Sequence, residues 1–147
     1  MARAYVADRF RYLLKADDDS TICLTNLCTE LGRLPPDRDV YLGKMKPNNR
    51  VSLDPTMRQY NPRFVNETGL SVYPRYAGGA GYVVSYTVAQ ALAAKVITAR
   101  SPLPFRHFPR EDATFGLWMS GIVGERSGIT SIRDKRWLLD HPLPSRR

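Results

Sequence analysis

Between Arg11 and Ala16 the chain runs Arg-Tyr-Leu-Leu-Lys-Ala, a short apolar-centred stretch that halts at Asp17, Asp18 and Asp19. Aspartate is depleted inside strands, so this pattern predicts a buried strand ending in an acidic turn. Leu24, Leu27, Cys28 and Leu31 then recur at helical spacing. Thr21 or Thr25 is placed to cap that helix, and Gly32 with Pro35 and Pro36 closes it. Val40 to Met45 reads as a second strand. Residues 46–74 carry repeated Pro and Asn with little periodicity, as a long surface excursion does. Tyr82 to Val84 is a short β-branched and aromatic strand. Ser85 can cap a helix that Val88, Ala91, Leu92, Lys95 and Val96 continue from Tyr86 to about Ala99. Pro102, Pro104 and Pro109 break the chain before another helix, which starts at Glu111 and Asp112 and carries Phe115, Leu117, Trp118 and Ile122. Residues 128–132 and Trp137 to Leu139 are candidate terminal strands. Strands alternating with helices predict an α/β layer structure around a largely parallel sheet.

A chain of 147 residues, 43% hydrophobic, is long enough to bury one core, and a single domain over residues 1–147 is expected. The net charge of +8 favours an anionic partner, which charge alone does not identify. The cations are scattered, and no groove-reading or base-stacking motif accompanies them, so nucleic acid is not an expected partner. No apolar run is long enough to cross a bilayer, and the Met1 to Phe10 segment carries charges where a signal peptide needs its hydrophobic stretch. Cys23 and Cys28, read as lying in one helix on different faces, are expected to be core thiols rather than a disulfide framework or a metal pair. Asn66-Glu67-Thr68 is a formal glycosylation sequon of low specificity.

Three segments can carry chemistry. Asp17, Asp18 and Asp19 at the mouth of a strand can present oxygen ligands to a hard divalent cation, or can simply form a solvated acidic turn. In the run from Tyr73 to Tyr82 the glycines allow close ligand approach, and Tyr76 and Tyr82 offer flat faces to a sugar ring; the alternative is a tight turn with core tyrosines. The dinucleotide fingerprint is not met there, because a Pro-containing loop stands where it needs a strand. Glu111 and Asp112 at a helix start either hold a general base rigidly or face outward and stabilise the helix dipole. His141, ahead of Pro142, is a candidate metal ligand or a polar residue near the terminus; His107 has no better claim.

Taken in order, these segments resemble glycosyltransferase family 31, the β-1,3-galactosyltransferase-like family. The resemblance begins at Lys15 with Asp17-Asp18-Asp19, continues through Asn26-Leu27 and Asp39-Val40-Tyr41-Leu42-Gly43, and covers about Phe10 to His141. Residues 73–85 are similar to that family's "YP-x-Y-x-x-G-x-GYV-x-S" segment. Glu111-Asp112-Ala113-Thr114-Phe115-Gly116 looks like its "EDV-x-x-G" motif, with Ala113 in place of valine.

The resemblance implies a partial GT-A fold, a mixed sheet flanked by helices, with the N-terminal nucleotide-binding strands missing before Met1. It implies a UDP-sugar donor, Mn²⁺ or another divalent cation such as Mg²⁺, a glycan or glycoprotein acceptor, and inverting transfer of galactose or N-acetylglucosamine in β-1,3 linkage. By position, Asp17 and Asp19 match the metal-binding carboxylates, with Asp18 between them. Asp112 matches the catalytic base, and His141 a C-terminal metal-binding histidine. Tyr76, Gly78, Gly79, Tyr82 and Glu111 fall on the substrate-binding segments. A Golgi lumenal location, with membrane attachment only through an anchor outside this chain, is implied in the same way. The alternative is a noncatalytic remnant that binds sugars or partner subunits.

Overall fold

Strand β1 (Tyr12–Ala16) ends where the acidic turn begins; β2 (Thr21–Ile22) and helix α1 (Leu24–Gly32) follow. Next come β3 (Val40–Lys46), helix α2 (Pro62–Thr68), β4 (Tyr76–Ser85) and helix α3 (Tyr86–Val96). Helix α4 (Glu111–Val123), β5 (Thr130–Arg133) and β6 (Leu138–Leu139) complete the order. The structure, a computed structural model, describes residues 10–35, 37–47, 49–96, 103, 105–123, 129–133 and 136–139. The portion of the expected helix beyond Val96, residue 128 of the expected terminal strand, and His141 lie outside the described residues.

Four strands form one sheet in the order β1-β4-β3-β5, and β2 pairs with β6. The expectation of a largely parallel sheet is corrected: β4 is antiparallel to both β1 and β3, and β5 alone runs parallel, beside β3. The crossover from β1 through α1 to β3 does join two strands of the same direction. However, β4 inserts between them, opposing Lys15 with Tyr82 on one side and Leu42 with Val83 on the other. Local periodicity carries no information about such an insertion. The result is mixed α/β, a sheet flanked by helices.

As a central strand, β4 buries both faces, which is why it shows no polar alternation. Tyr82 and Val84 join Tyr41, Met45, Val88, Leu92, Met119 and Ile122 on the side of α3 and α4. Val83 turns the other way, toward Leu27, Val40, Leu42 and Trp137. The glycine-rich segment is therefore not a loop, as its composition predicts, but the first half of this strand. α4 lies very close to it: a Cβ on Gly116 would stand 2.4 Å from the Cβ of Tyr76.

The excursion after β3 is more structured than its composition predicts. Asn61 caps α2 by accepting from the Phe64 amide at 3.3 Å, Pro62 occupies the first turn, and Gly69 closes the helix at φ 71°. Phe64 is buried with Tyr73, Tyr76, Phe108, Ala113 and Leu117 in a satellite core, so the excursion is anchored beneath the N-terminus of α4. The two cysteines also differ from expectation. Cys23 precedes α1 as its N-cap, Cys28 is exposed on that helix, and both are free thiols. Helical spacing placed Cys28 on the apolar face, but Leu27 is the residue of α1 that reaches the core.

Candidate functional site

The last residue of β1 before the acidic turn is Ala16, and antiparallel pairing sets it opposite Gly81. Asp17 therefore emerges beside the glycines of β4. A Cβ on Gly79 would come within 2.9 Å of Asp17 Oδ2, so glycine at this position leaves the space the carboxylate occupies. The turn is closed by the Ser20 amide donating to the Asp17 carbonyl at 3.1 Å, and all three aspartates are exposed.

Lys15 ties this corner to α4. Its ammonium donates to the Asp17 carboxylate, donates to the Gly79 carbonyl at 3.0 Å, and pairs with Glu111 Oε2 at 3.1 Å. The other Glu111 oxygen accepts from the Tyr82 hydroxyl, whose pKa is pushed up first by burial and then by the hydrogen bond to, and charge of, Glu111. Tyr82 thus stays a donor throughout the neutral range. Burial alone would lower the Lys15 pKa, but the hydrogen bonds and charges of Asp17 and Glu111 outweigh it, and the net shift from 10.5 is upward. A raised lysine pKa adds stability that is complete below the unfolded value and vanishes as pH rises through the folded one. Lys15→Met should therefore abolish a loss of stability above pH 10.5, read by denaturant titration across the alkaline range.

Asp112 sits one residue into α4. Its Oδ1 accepts from the Ala113 amide at 2.8 Å and its Oδ2 lies 3.7 Å from Arg110 Nη2. Arg110 is itself held over Tyr73 and Tyr76, with ring centroids 5.5 and 5.9 Å away, and donates to the Tyr76 hydroxyl at 3.3 Å. Thr114 locks the approach to the helix by exchanging hydrogen bonds with the backbone of Phe108. The Glu-Asp pair thus does not face away from the protein: Glu111 and Asp112 both border an open cavity of about 510 Å³.

That cavity is lined by Asp17, Gly79 and Ala80 from the β1 turn and β4, by Lys46, Arg58 and Gln59 from the end of β3 and the excursion, and by residues 109–112. Of the candidates named from sequence, Asp17, Gly79, Glu111 and Asp112 meet there. Asp18 and Asp19 are exposed outside this lining. Gly78 is buried behind it, where a Cβ would stand 2.9 Å from Lys46 Cε. Tyr76 and Tyr82 lie beneath, 0% and 4% exposed, and support the charged side chains Arg110, Lys46, Lys15 and Glu111. Sequence reasoning assigned no role to Lys15, Lys46, Arg58 or Arg110. Only Lys15 and Arg110, adjoining candidate motifs, carried any signal. Among the described residues no three His, Cys, Asp or Glu side chains converge as metal ligands.

A family model described as Galactosyltransferase matches residues 2–126. The chain is 28% identical to a hydroxyproline O-galactosyltransferase, GALT2, of Arabidopsis thaliana, over 74% of this chain and 15% of that protein. It is 28% identical to UDP-GalNAc:beta-1,3-N-acetylgalactosaminyltransferase 2 of Xenopus laevis, over 90% and 24% respectively. It is 29% identical to the human acetylgalactosaminyl-O-glycosyl-glycoprotein beta-1,3-N-acetylglucosaminyltransferase, over 84% and 30%. The chain thus spans less than a third of each of these relatives' lengths.

Proposed function

Because the chain belongs to the galactosyltransferase family, we propose that it supplies the base-bearing and metal-binding part of an inverting β-1,3-glycosyltransferase. The enzyme moves galactose or a related N-acetylhexosamine from a UDP-sugar to a hydroxyl of a glycan or glycoprotein. The observation that carries this reading is the meeting of Asp17, from the turn after β1, and Asp112, from the start of α4, in one cavity. The names of the relatives, which include a hydroxyproline O-galactosyltransferase, a β-1,3-N-acetylgalactosaminyltransferase and a β-1,3-N-acetylglucosaminyltransferase, support the reaction class and leave the sugar open.

Asp112 takes the proton from the acceptor hydroxyl as that oxygen attacks the anomeric carbon. The bond from that carbon to the diphosphate breaks, and the nucleoside diphosphate leaves with the electron pair. A single base facing a separate leaving-group site favours one displacement with inversion. Contacts from Ala113 and Arg110 fix the Asp112 carboxylate before the substrate arrives. Glu111 has one oxygen on Tyr82 and the other on Lys15, so its part is to orient the wall rather than accept a proton.

The donor set fits a hard divalent cation of the kind held by one or two carboxylates and completed by phosphate oxygens and water. Asp17 and Glu111 share the one ammonium of Lys15, which leaves one negative charge in excess at this corner. Asp17 and Asp19 would hold Mn²⁺ or Mg²⁺, and when bound the ion would neutralise charge developing on the leaving diphosphate. His141 is a further candidate ligand. Family membership also supports a Golgi setting; among the described residues, no helix is long and apolar enough to cross a membrane.

The test is sugar transfer from a panel of UDP-sugars, with and without Mn²⁺, by the polypeptide that carries this chain, together with calorimetric binding of UDP. Metal-dependent transfer to a hydroxyl acceptor with inverted anomeric configuration is expected. Failure of UDP to bind in the presence of Mn²⁺ would overturn the proposal.

A further inference from the structure

Lys15 lies between Asp17 and Glu111, so this cation is committed to two carboxylates. Three further cations, Lys46, Arg58 and Arg110, line the cavity. Arg110 pairs with Asp112, but Lys46 and Arg58 make no ion pair with any described residue. Lys46 is placed rather than loose. Its ammonium stands 5.8 Å from the centroid of the Tyr76 ring, the same ring that carries Arg110 at 5.9 Å, and the bare backbone of Gly78 gives its stem room. Two positive charges without an ion-pair partner among the described residues, lining a polar cavity, attract an anion more strongly than the same charges on a convex surface.

The position of these cations decides which anion they suit. Lys46 and Arg110 share Tyr76, and Arg110 contacts Asp112. Lys46 is therefore linked through Tyr76 and Arg110 to the base, beside which the acceptor hydroxyl must lie, whereas Asp17, to which the transferase reading assigns the diphosphate, has Lys15 as its partner. We infer that this site takes an acidic acceptor: a sugar carrying a carboxylate or sulfate ester close to the reacting hydroxyl, held by Lys46 and Arg58. The inference rests on the transferase reading for which carboxylate lies beside the acceptor. The presence of an anion subsite rests on the lining residues alone.

Binding measurements on the full chain test it, using methyl β-glucuronide and methyl galactoside 6-sulfate against uncharged methyl glucoside and methyl galactoside, with UDP as a separate ligand. Hydrogen bonds to charged groups predict that the acidic sugars bind about 10- to 100-fold tighter than their neutral counterparts. Arg58→Gln, at an exposed position, and Lys46→Met, which keeps the stem over Tyr76, should each remove most of that preference. Both should leave neutral-sugar and UDP binding unchanged. Arg11→Gln, which removes one charge outside the cavity, should leave the preference intact and so separates the subsite from the general attraction of a +8 chain. Equal binding of acidic and neutral sugars, absence of sugar binding, or a preference that survives both cavity substitutions would overturn the inference. Loss of UDP binding in the two variants would assign these cations to the donor diphosphate and overturn it as well. An intact acidic preference in a chain that binds no UDP would instead sink the transferase reading and leave the anion subsite standing.

Discussion

Replacing Asp112 with Asn is expected to lower the rate of sugar transfer by roughly 10²- to 10⁴-fold, the range that a positioned general base contributes. The substitution keeps the size of the side chain and can keep the hydrogen bond from the Ala113 amide, so the start of α4 has no reason to move. What disappears is the proton acceptor. Binding of UDP, which depends on the Asp17 end of the cavity, should be retained, and the loss should appear in kcat rather than in donor affinity. The contrast with Glu111 sharpens the prediction. Glu111→Gln breaks the ion pair with Lys15 and weakens acceptance from Tyr82, so it should cost stability as well as rate. Thermal unfolding beside initial-rate kinetics separates the two. A rate for Asp112→Asn within a few-fold of the parent chain would remove Asp112 from the role of base.

The second large effect is expected far from any reacting atom. Alanine is normally better than glycine in a helix by about 1 kcal/mol, and on propensity alone Gly116→Ala should stabilise α4. The packing predicts the reverse sign. The added Cβ would meet Tyr76 Cβ at 2.4 Å, the Arg75 carbonyl at 3.0 Å and Tyr76 Cα at 3.1 Å, none of them the movable end of a flexible side chain. Overpacking of this kind typically costs about 1–3 kcal/mol, and relief requires α4 to lift from β4. Because Glu111 and Asp112 ride on the same helix, activity should fall further than stability; a displacement of about 1 Å at a reacting group can cost about 100-fold. Gly32→Ala is the control, since a Cβ there has nothing within 4 Å. Denaturant midpoints at unchanged m-value for both variants decide the matter.

The elements with strong periodicity were legible from sequence: β1 up to the aspartates, α1, β3, and the starts of α3 and α4 lie where the patterns put them. What was missed has identifiable causes. The first half of β4 contains Gly78 and Gly79, residues that weaken a strand locally. It is a strand because β3 pairs with Tyr76 and Ala77 and because β1 and β3 hold the half that follows from both sides, a tertiary effect that no local window contains. Helix α2 was read as part of the surface excursion, because its seven residues are too few to show a period. Family motifs led to Asp17, Gly79, Glu111 and Asp112, and the fold does bring these four to one cavity. Lys46 and Arg58 were invisible because they come from separate segments with no shared spacing, and Arg110 was signalled only by adjoining the Glu111-Asp112 motif.

The pairing of Lys15 with Tyr82 across the β1–β4 ladder has a consequence for how the site comes into being. Side chains alternate along a strand, so sliding β1 by a single position would swing its lysine to the opposite surface and carry the adjoining aspartate off the glycine that makes room for it. No partly formed version of this corner exists between the two alignments. Chemistry and alignment are therefore acquired together, and amide protection along β1 should report, in one measurement, how firmly both are held.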